Sequence, residues 1–129
     1  MLAMSPNQPS STILNVMFVD DEPGLCLLFV DAYQAEGVSV STYSNPFEAI
    51  AAANRQQPDL VFLDFRMPDI NGDLVAQAMP TDIPKYLITG DIRVETKTKF
   101  LGIFEKPLNF DAIGVVIDAA RRAKVDAAF

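Results

Sequence analysis

Asp59-Leu60-Val61-Phe62-Leu63-Asp64-Phe65-Arg66-Met67-Pro68-Asp69-Ile70-Asn71-Gly72 is the most informative stretch of this chain. Four apolar residues, Leu60 to Leu63, run into one acid and then into a loop of Pro, Asp, Asn and Gly. A short apolar run bounded by turn signals reads as a buried parallel strand. Asp64 then stands at its carboxyl end. The pattern repeats outward. Upstream, Ile13-Leu14-Asn15-Val16-Met17-Phe18-Val19 ends in Asp20-Asp21. Downstream, Tyr86-Leu87-Ile88 ends in Thr89, and Ile103-Phe104-Glu105 ends in Lys106. Strands of one sheet that end in acid, acid, hydroxyl and amine place those groups along one edge. That is the edge where open α/β sheets bind ligands.

Helical spacing fills the intervals. Leu25, Leu28, Phe29, Ala32 and Tyr33 recur on one face of a helix expected over 23–36, with Gly37 as its stop. Val38 to Tyr43 alternates like a strand. Asn45-Pro46-Phe47-Glu48 supplies a cap, a first-turn proline and an acid for a second helix ending before Pro58. A short third helix is expected over 73–79, stopped by Pro80. A last helix opens at Asn109 or Asp111, with Phe110, Ile113, Val116, Ile117 and Ala120 on one face. Alternating strands and helices predict a parallel sheet covered on both faces.

The chain has 129 residues, half of them hydrophobic, which fits one globular domain. Its net charge of −7 argues against nucleic acid as a partner. The basic cluster Arg121, Arg122 and Lys124 suits the last turns of a helix. Cys26 is single, so no internal disulfide forms, and its apolar neighbours predict a buried structural thiol. No run is long enough to span a bilayer. Residues 1–12 carry Pro6, Pro9 and several polar residues, and read as a flexible tail without a signal peptide. A reduced, cytoplasmic protein is the simplest expectation. The absence of histidine removes His-metal sites and Ser-His or Cys-His catalysis.

Three carboxylates at one edge require a trapped proton or a cation. Oxygen-only ligands favour a hard ion such as Mg²⁺. Asp64 could then act as a nucleophile toward phosphorus. Lys106 could neutralise the incoming phosphoryl group, and Thr89 could donate a hydrogen bond to it. Any one of these residues alone would read as a solvated loop residue or a cap. Their occurrence at four strand ends carries the argument.

These residues resemble a known family. Phe18-Val19-Asp20-Asp21-Glu22-Pro23, the stretch from Asp59 to Gly72, Leu87-Ile88-Thr89-Gly90 and Glu105-Lys106-Pro107 are similar to the receiver domains of bacterial two-component response regulators, chemotaxis regulators included. The resemblance implies a flavodoxin-like (βα)5 three-layer sandwich with strand order 2-1-3-4-5. It implies a receiver domain over residues 13–126 with no output domain after it. It makes Asp64 the phospho-acceptor. Asp20, Asp21, Asp64 and the main-chain carbonyl of Arg66 become the Mg²⁺ ligands, and Thr89 and Lys106 the switch hydroxyl and phosphate-binding amine. The implied donor is a sensor histidine kinase or a histidine phosphotransfer protein. The implied output is contact with a downstream protein target or a phosphorelay step, with no nucleic acid or membrane partner. The oligomeric expectation is a monomer or a weak phosphorylation-dependent dimer.

Two departures from the family pattern stand out. Only 17 positions separate Thr89 from Lys106, about one helical turn fewer than usual. In Arg93-Val94-Glu95-Thr96-Lys97-Thr98-Lys99-Phe100 only Val94 and Phe100 are clearly apolar, so the fourth helix is expected to be short or irregular. The family's switch aromatic, three residues before the lysine, is replaced by Ile103, and strand alternation turns Phe104 to the opposite face. Output through a modified surface between the fourth crossover and the last helix follows. Arg66 and Asp91, each two residues past a strand end, have opposite charges and could pair across the phosphate mouth.

Two other functions compete with this reading. A pseudo-receiver, a protein-interaction module not controlled by phosphate, is opposed by the complete set of acids, threonine and lysine. A haloacid-dehalogenase-type phosphatase would need a second Asp where Arg66 stands.

Overall fold

The computed structural model describes residues 12–91 and 93–128. The expected tail therefore lies outside the described residues, apart from Thr12. Five strands and four helices follow in the order β1 (Leu14–Val19), α1 (Pro23–Tyr33), β2 (Val38–Tyr43), α2 (Pro46–Arg55), β3 (Leu60–Asp64), α3 (Gly72–Gln77), β4 (Lys85–Thr89), β5 (Gly102–Glu105) and α4 (Phe110–Ala128). The strands form one sheet in the order β2-β1-β3-β4-β5, with every pair parallel. The expected strand order and flavodoxin-like layering are both present.

The two-residue period of each strand sorts its side chains between two cores. Leu14, Val16 and Phe18 of β1, Leu60 and Phe62 of β3 and Ile88 of β4 meet Cys26 and Phe29 of α1 and Ile113 and Ile117 of α4. Met17, Val19, Val61, Leu63 and Leu87 point the other way, against Ala49, Ala52 and Ala53 of α2 and Val75 and Ala76 of α3. β3 is buried along its whole length, which explains its unbroken apolar run. Phe29 stacks on Phe18 with ring centroids 4.1 Å apart and meets Tyr33 edge-on at 4.7 Å. The Tyr33 hydroxyl donates to the Phe110 carbonyl at 2.6 Å and ties α1 to α4.

Helix starts follow local chemistry. Asn45 accepts from the N–H groups of Phe47 and Glu48 and caps α2. Asn71 caps α3 through the Leu74 N–H. Of the two candidates for the last helix, Asn109 is the cap, accepting from Ala112 at 3.0 Å. α1 ends at Tyr33, earlier than the expected Glu36, because Ala35 and Val38 exchange two backbone hydrogen bonds around Gly37 at φ +86°. Leu28, expected on the core face of α1, is half exposed, and Cys26 takes an inward position in its place.

The fourth crossover departs furthest from the family pattern. The described residues 93–101 contain no helix at all, so the sheet has four flanking helices. Val94 and Phe100 anchor this segment against the α2–α3 core. Between them Asp73 holds it: its carboxylate accepts the Lys97 and Thr98 N–H groups, both at 2.9 Å. A stretch with only two apolar residues has no face to bury as a helix. A buried carboxylate meets its backbone donors instead. Burial pushes the Asp73 carboxyl up, but these hydrogen bonds outweigh it and hold the group below the usual carboxylate range.

Candidate phosphoryl-acceptor site

The strand ends are fixed side by side by main-chain bonds. Asp20 N–H donates to Tyr43, Phe65 N–H to Ile88, and Lys106 N–H to Thr89. The loop after β3 folds back tightly: the Gly72 N–H donates to the Phe65 carbonyl at 2.7 Å. A Cβ at Gly72 would collide with the Asp64 carbonyl, so only glycine fits there. Asp69 takes the left-handed conformation within that loop, at φ 71°. The Asp-Phe-Arg-Met-Pro-Asp-Ile-Asn-Gly pattern is thus a turn that aims Asp64.

Three carboxylates converge as the sequence suggests. Asp20, Asp21 and Asp64 each place one oxygen within 4.8 Å of the others. Asp20 and Asp64 are buried, and Asp21 is more open. The Lys106 amine reaches into the group, 3.2 Å from Asp64 Oδ1 and 3.3 Å from Asp20 Oδ2. Glu22, which the sequence reading passed over, lies 3.7 Å from the same amine. The Glu22 N–H also holds Asp20 Oδ1 at 2.9 Å. The Cys26 thiol donates to the Asp20 carbonyl at 3.4 Å, in keeping with a structural cysteine.

Burial, followed by the adjacent Asp20 charge, raises the Asp64 carboxyl to about 6 despite Lys106. Burial also pushes Asp20 above its ordinary value, against the pull of the Glu22 N–H and Lys106. For Lys106 burial acts downward, but Asp20 and Asp64 outweigh it and hold the ammonium above the usual lysine range. One ammonium does not balance this many acids. The group is short of positive charge, and the oxygen-only donors fit a hard divalent cation.

Thr89 is buried at the end of β4, and its hydroxyl accepts the Asp91 N–H at 3.0 Å. Arg66 and Asp91 are paired: Arg66 Nε donates to both Asp91 oxygens, at 2.9 and 3.0 Å. Both residues line a shared recess with Phe65, Gly90 and Val94. Ile103 is half exposed on the edge strand β5, while Phe104 faces inward against Phe62 and Tyr86. No aromatic side chain stands in the switch position.

A parallel five-stranded sheet with three converging aspartates, a threonine and a lysine at its carboxyl edge is the arrangement of a phospho-accepting signalling domain. Residues 16–117 match the response regulator receiver domain, and the chain belongs to that family. The transcriptional regulatory protein TcrX of Mycobacterium tuberculosis is 37% identical over 87 residues, covering 65% of this chain and 37% of its own length. The transcriptional regulatory protein GlrR of Escherichia coli is 32% identical over 114 residues, covering 82% of this chain and 26% of its own. The chain therefore spans between 26% and 37% of the length of these two relatives. The sporulation initiation phosphotransferase F of Bacillus subtilis is 27% identical, with 76% of this chain and 86% of that protein covered. In fold, the chain matches a CheY-like receiver domain protein from Methanospirillum hungatei, with TM-score 0.75, 18% identity, and 89% and 98% of the two chains covered. Chemotaxis response regulator CheY4 of Vibrio cholerae matches with TM-score 0.73, 23% identity, and 84% and 98% covered. Among the described residues no helix is long and apolar enough to cross a membrane.

Proposed function

We propose that Asp64 takes a phosphoryl group from a phosphohistidine on a sensor kinase or phosphotransfer protein, in a Mg²⁺-dependent reaction. The observation that carries this reading is the convergence of Asp20, Asp21 and Asp64 around the Lys106 amine. Asp20, Asp21, Asp64 and the main-chain carbonyl of Arg66 would hold the ion. Bound there, Mg²⁺ would supply the positive charge that the site lacks and draw negative charge from the phosphoryl oxygens. An Asp64 oxygen attacks phosphorus, the donor P–N bond breaks, and the donor imidazole keeps the electron pair and takes up a proton. Lys106 neutralises a phosphoryl oxygen, and the Thr89 hydroxyl donates to another once it turns from the Asp91 N–H. The phosphorylated chain then acts by contact with another protein or by passing the group onward, as a phosphorelay step. The surface that responds is the fourth crossover with β5 and the start of α4, because Thr89 connects to it through Asp91.

Two observations favour a second reading, an interaction module indifferent to phosphate. Ile103 is exposed where an aromatic would couple to Thr89, and the crossover carries no helix to shift. Acetyl phosphate with Mg²⁺, read by intact mass, tests the primary reading. One phosphoryl adduct on the native chain, absent with chelator and in Asp64→Asn, is the expected result. No adduct on the native chain overturns it. An adduct whose chemical-shift changes stay confined to the pocket, with none over residues 93–104, would favour the second reading.

A further inference from the structure

A second recess, of about 430 Å³ and lined by both polar and apolar surface, opens between the end of α3, the turn before β4 and the fourth crossover. Gln77, Thr81, Lys85, Lys97, Thr98 and Lys99 line it. It lies at the opposite end of the sheet from the carboxylates. Lys85 opens β4 and Thr89 closes it, so roughly 13 Å of strand separates the two places.

Three of the ten basic residues of an acidic chain meet here. Among the described residues, every ion pair within 4.0 Å uses Arg66, Lys106 or Lys124, so none of these three lysines has a carboxylate partner. Lys85 is the unusual member. It is only 3% exposed, and its amine donates to the carbonyls of Pro80 at 2.8 Å and Ile83 at 3.0 Å. An ammonium has three donors, so one remains. Burying an ammonium beside carbonyls alone is costly, and an anion would offset that cost. The nearby acids do not fill the role. Asp82 acts on Lys85 only from longer range. The Asp73 oxygens are taken by the N–H groups of Lys97 and Thr98 and by Gln77.

We propose that this recess binds the phosphoryl group of a small molecule, a phosphate monoester or a diphosphate. Lys85 forms its floor, Lys97 and Lys99 its rim, and Thr81 and Thr98 its neutral donors. The volume suits a small-molecule site. Lysines without an arginine fork favour phosphate over the flat two-point grip of a carboxylate. An occupant would tie the helix-free crossover to the start of β4, a restraint independent of Asp64.

The test is a titration of the ¹⁵N-labelled full chain with sodium pyrophosphate, free of divalent cations, against sodium chloride at matched ionic strength. Saturable shifts at the amides of Gln77, Thr81, Lys85 and Lys97–Lys99, without matching shifts at Thr89 or Lys106, are expected. Lys97→Gln and Lys99→Gln, both at exposed positions, should each weaken binding about fivefold, the factor for one charge at contact distance in water. Shifts that match chloride, shifts centred on Lys106, unchanged affinity in both variants, or saturation by citrate in preference to pyrophosphate would each overturn the proposal.

Discussion

Replacing Asp64 by Asn should stabilise the metal-free protein at neutral pH, although it destroys the proposed acceptor. Burial and the Asp20 charge hold Asp64 at about 6 against an ordinary value of 3.8. That difference opposes the ionised form by about 3 kcal/mol. The attraction of Lys106 is already contained in it, because the amine pulls the same carboxyl downward. The sign follows from proton counting. A group with a raised folded pKa binds more protons folded than unfolded, so stability is greatest below pH 3.8, falls as pH rises toward 6, and is flat above. Asn carries no charge at any of these pH values. Lys106 keeps Asp20 at 3.3 Å after the change, which limits the side effect. Allowing for a less favourable amide contact with that amine, the gain should be about 1–3 kcal/mol at pH 7.5 and close to zero at pH 4. Urea unfolding of the two proteins without divalent cations measures it, and a midpoint shift of about 1 M is expected at pH 7.5. Saturating Mg²⁺ should recover about 2.7 kcal/mol for the native protein at a hundred times its dissociation constant, and much less for the variant. A variant that is less stable at pH 7.5, or a difference that does not change between pH 4 and 7.5, would refute the reasoning.

Four further outcomes are expected. Asp73→Ala strands two part-buried N–H groups, and should cost about 1–3 kcal/mol and speed amide exchange at Lys97 and Thr98; unchanged exchange there would remove the clamp. Gly72→Ala should misplace the β3 loop and suppress acetyl-phosphate labelling beyond any loss of folded protein, checked by circular dichroism alongside intact mass. Phe29→Ala empties the centre of the α1 core and should cost about 3–5 kcal/mol in urea unfolding. Arg66→Ala opens the Arg66–Asp91 pair beside the acceptor and should quicken loss of the phosphoryl group, with little change in stability for a pair so exposed to water; an unchanged dephosphorylation rate removes that role.

Strand ends were readable from the chain because burial on both faces forces continuous apolar runs, and Leu60–Leu63 can end only where solvent begins. Asn45, Asn71 and Asn109 act within three residues of themselves, so caps are readable too, although the turn signals around Asn71 hide its role as the cap of α3. What escaped depends on contacts between distant positions. The Asp73 clamp joins residues 24 and 25 positions apart, and nothing near Asp73 announces it. Lys85 looks like an ordinary polar start to a strand, and only the packing of the turn before it makes it buried. The early end of α1 depends on the bridge between Ala35 and Val38, which competes with helical bonds that the spacing alone would continue. The missing fourth helix was half visible. Lack of an apolar face argued for a short element, but complete loss needed the buried carboxylate that accepts the backbone N–H groups.

That loss changes how a signal could leave the site. A helix moves as a body, whereas a segment held by two apolar anchors and one carboxylate moves between its pins. The Asp91 N–H rests on the Thr89 hydroxyl, and the Asp91 carboxylate holds Arg66, so a Thr89 that turns toward a phosphoryl oxygen would release the N–H of the residue that holds Arg66. Asp91 lies three residues before Val94, the first anchor, and Asp73 fixes the chain again at Lys97 and Thr98. On the proposed reading, displacement would start at Asp91 and pass between these pins toward β5 and the start of α4. Beyond the pins Leu101, just before β5, Ile103 on β5 and Val115 on α4 expose apolar surface. A rotating aromatic would carry the change through the sheet. In its absence the route we propose runs along the backbone from Thr89 through Asp91, and the state of the Arg66–Asp91 pair would report whether it has been taken.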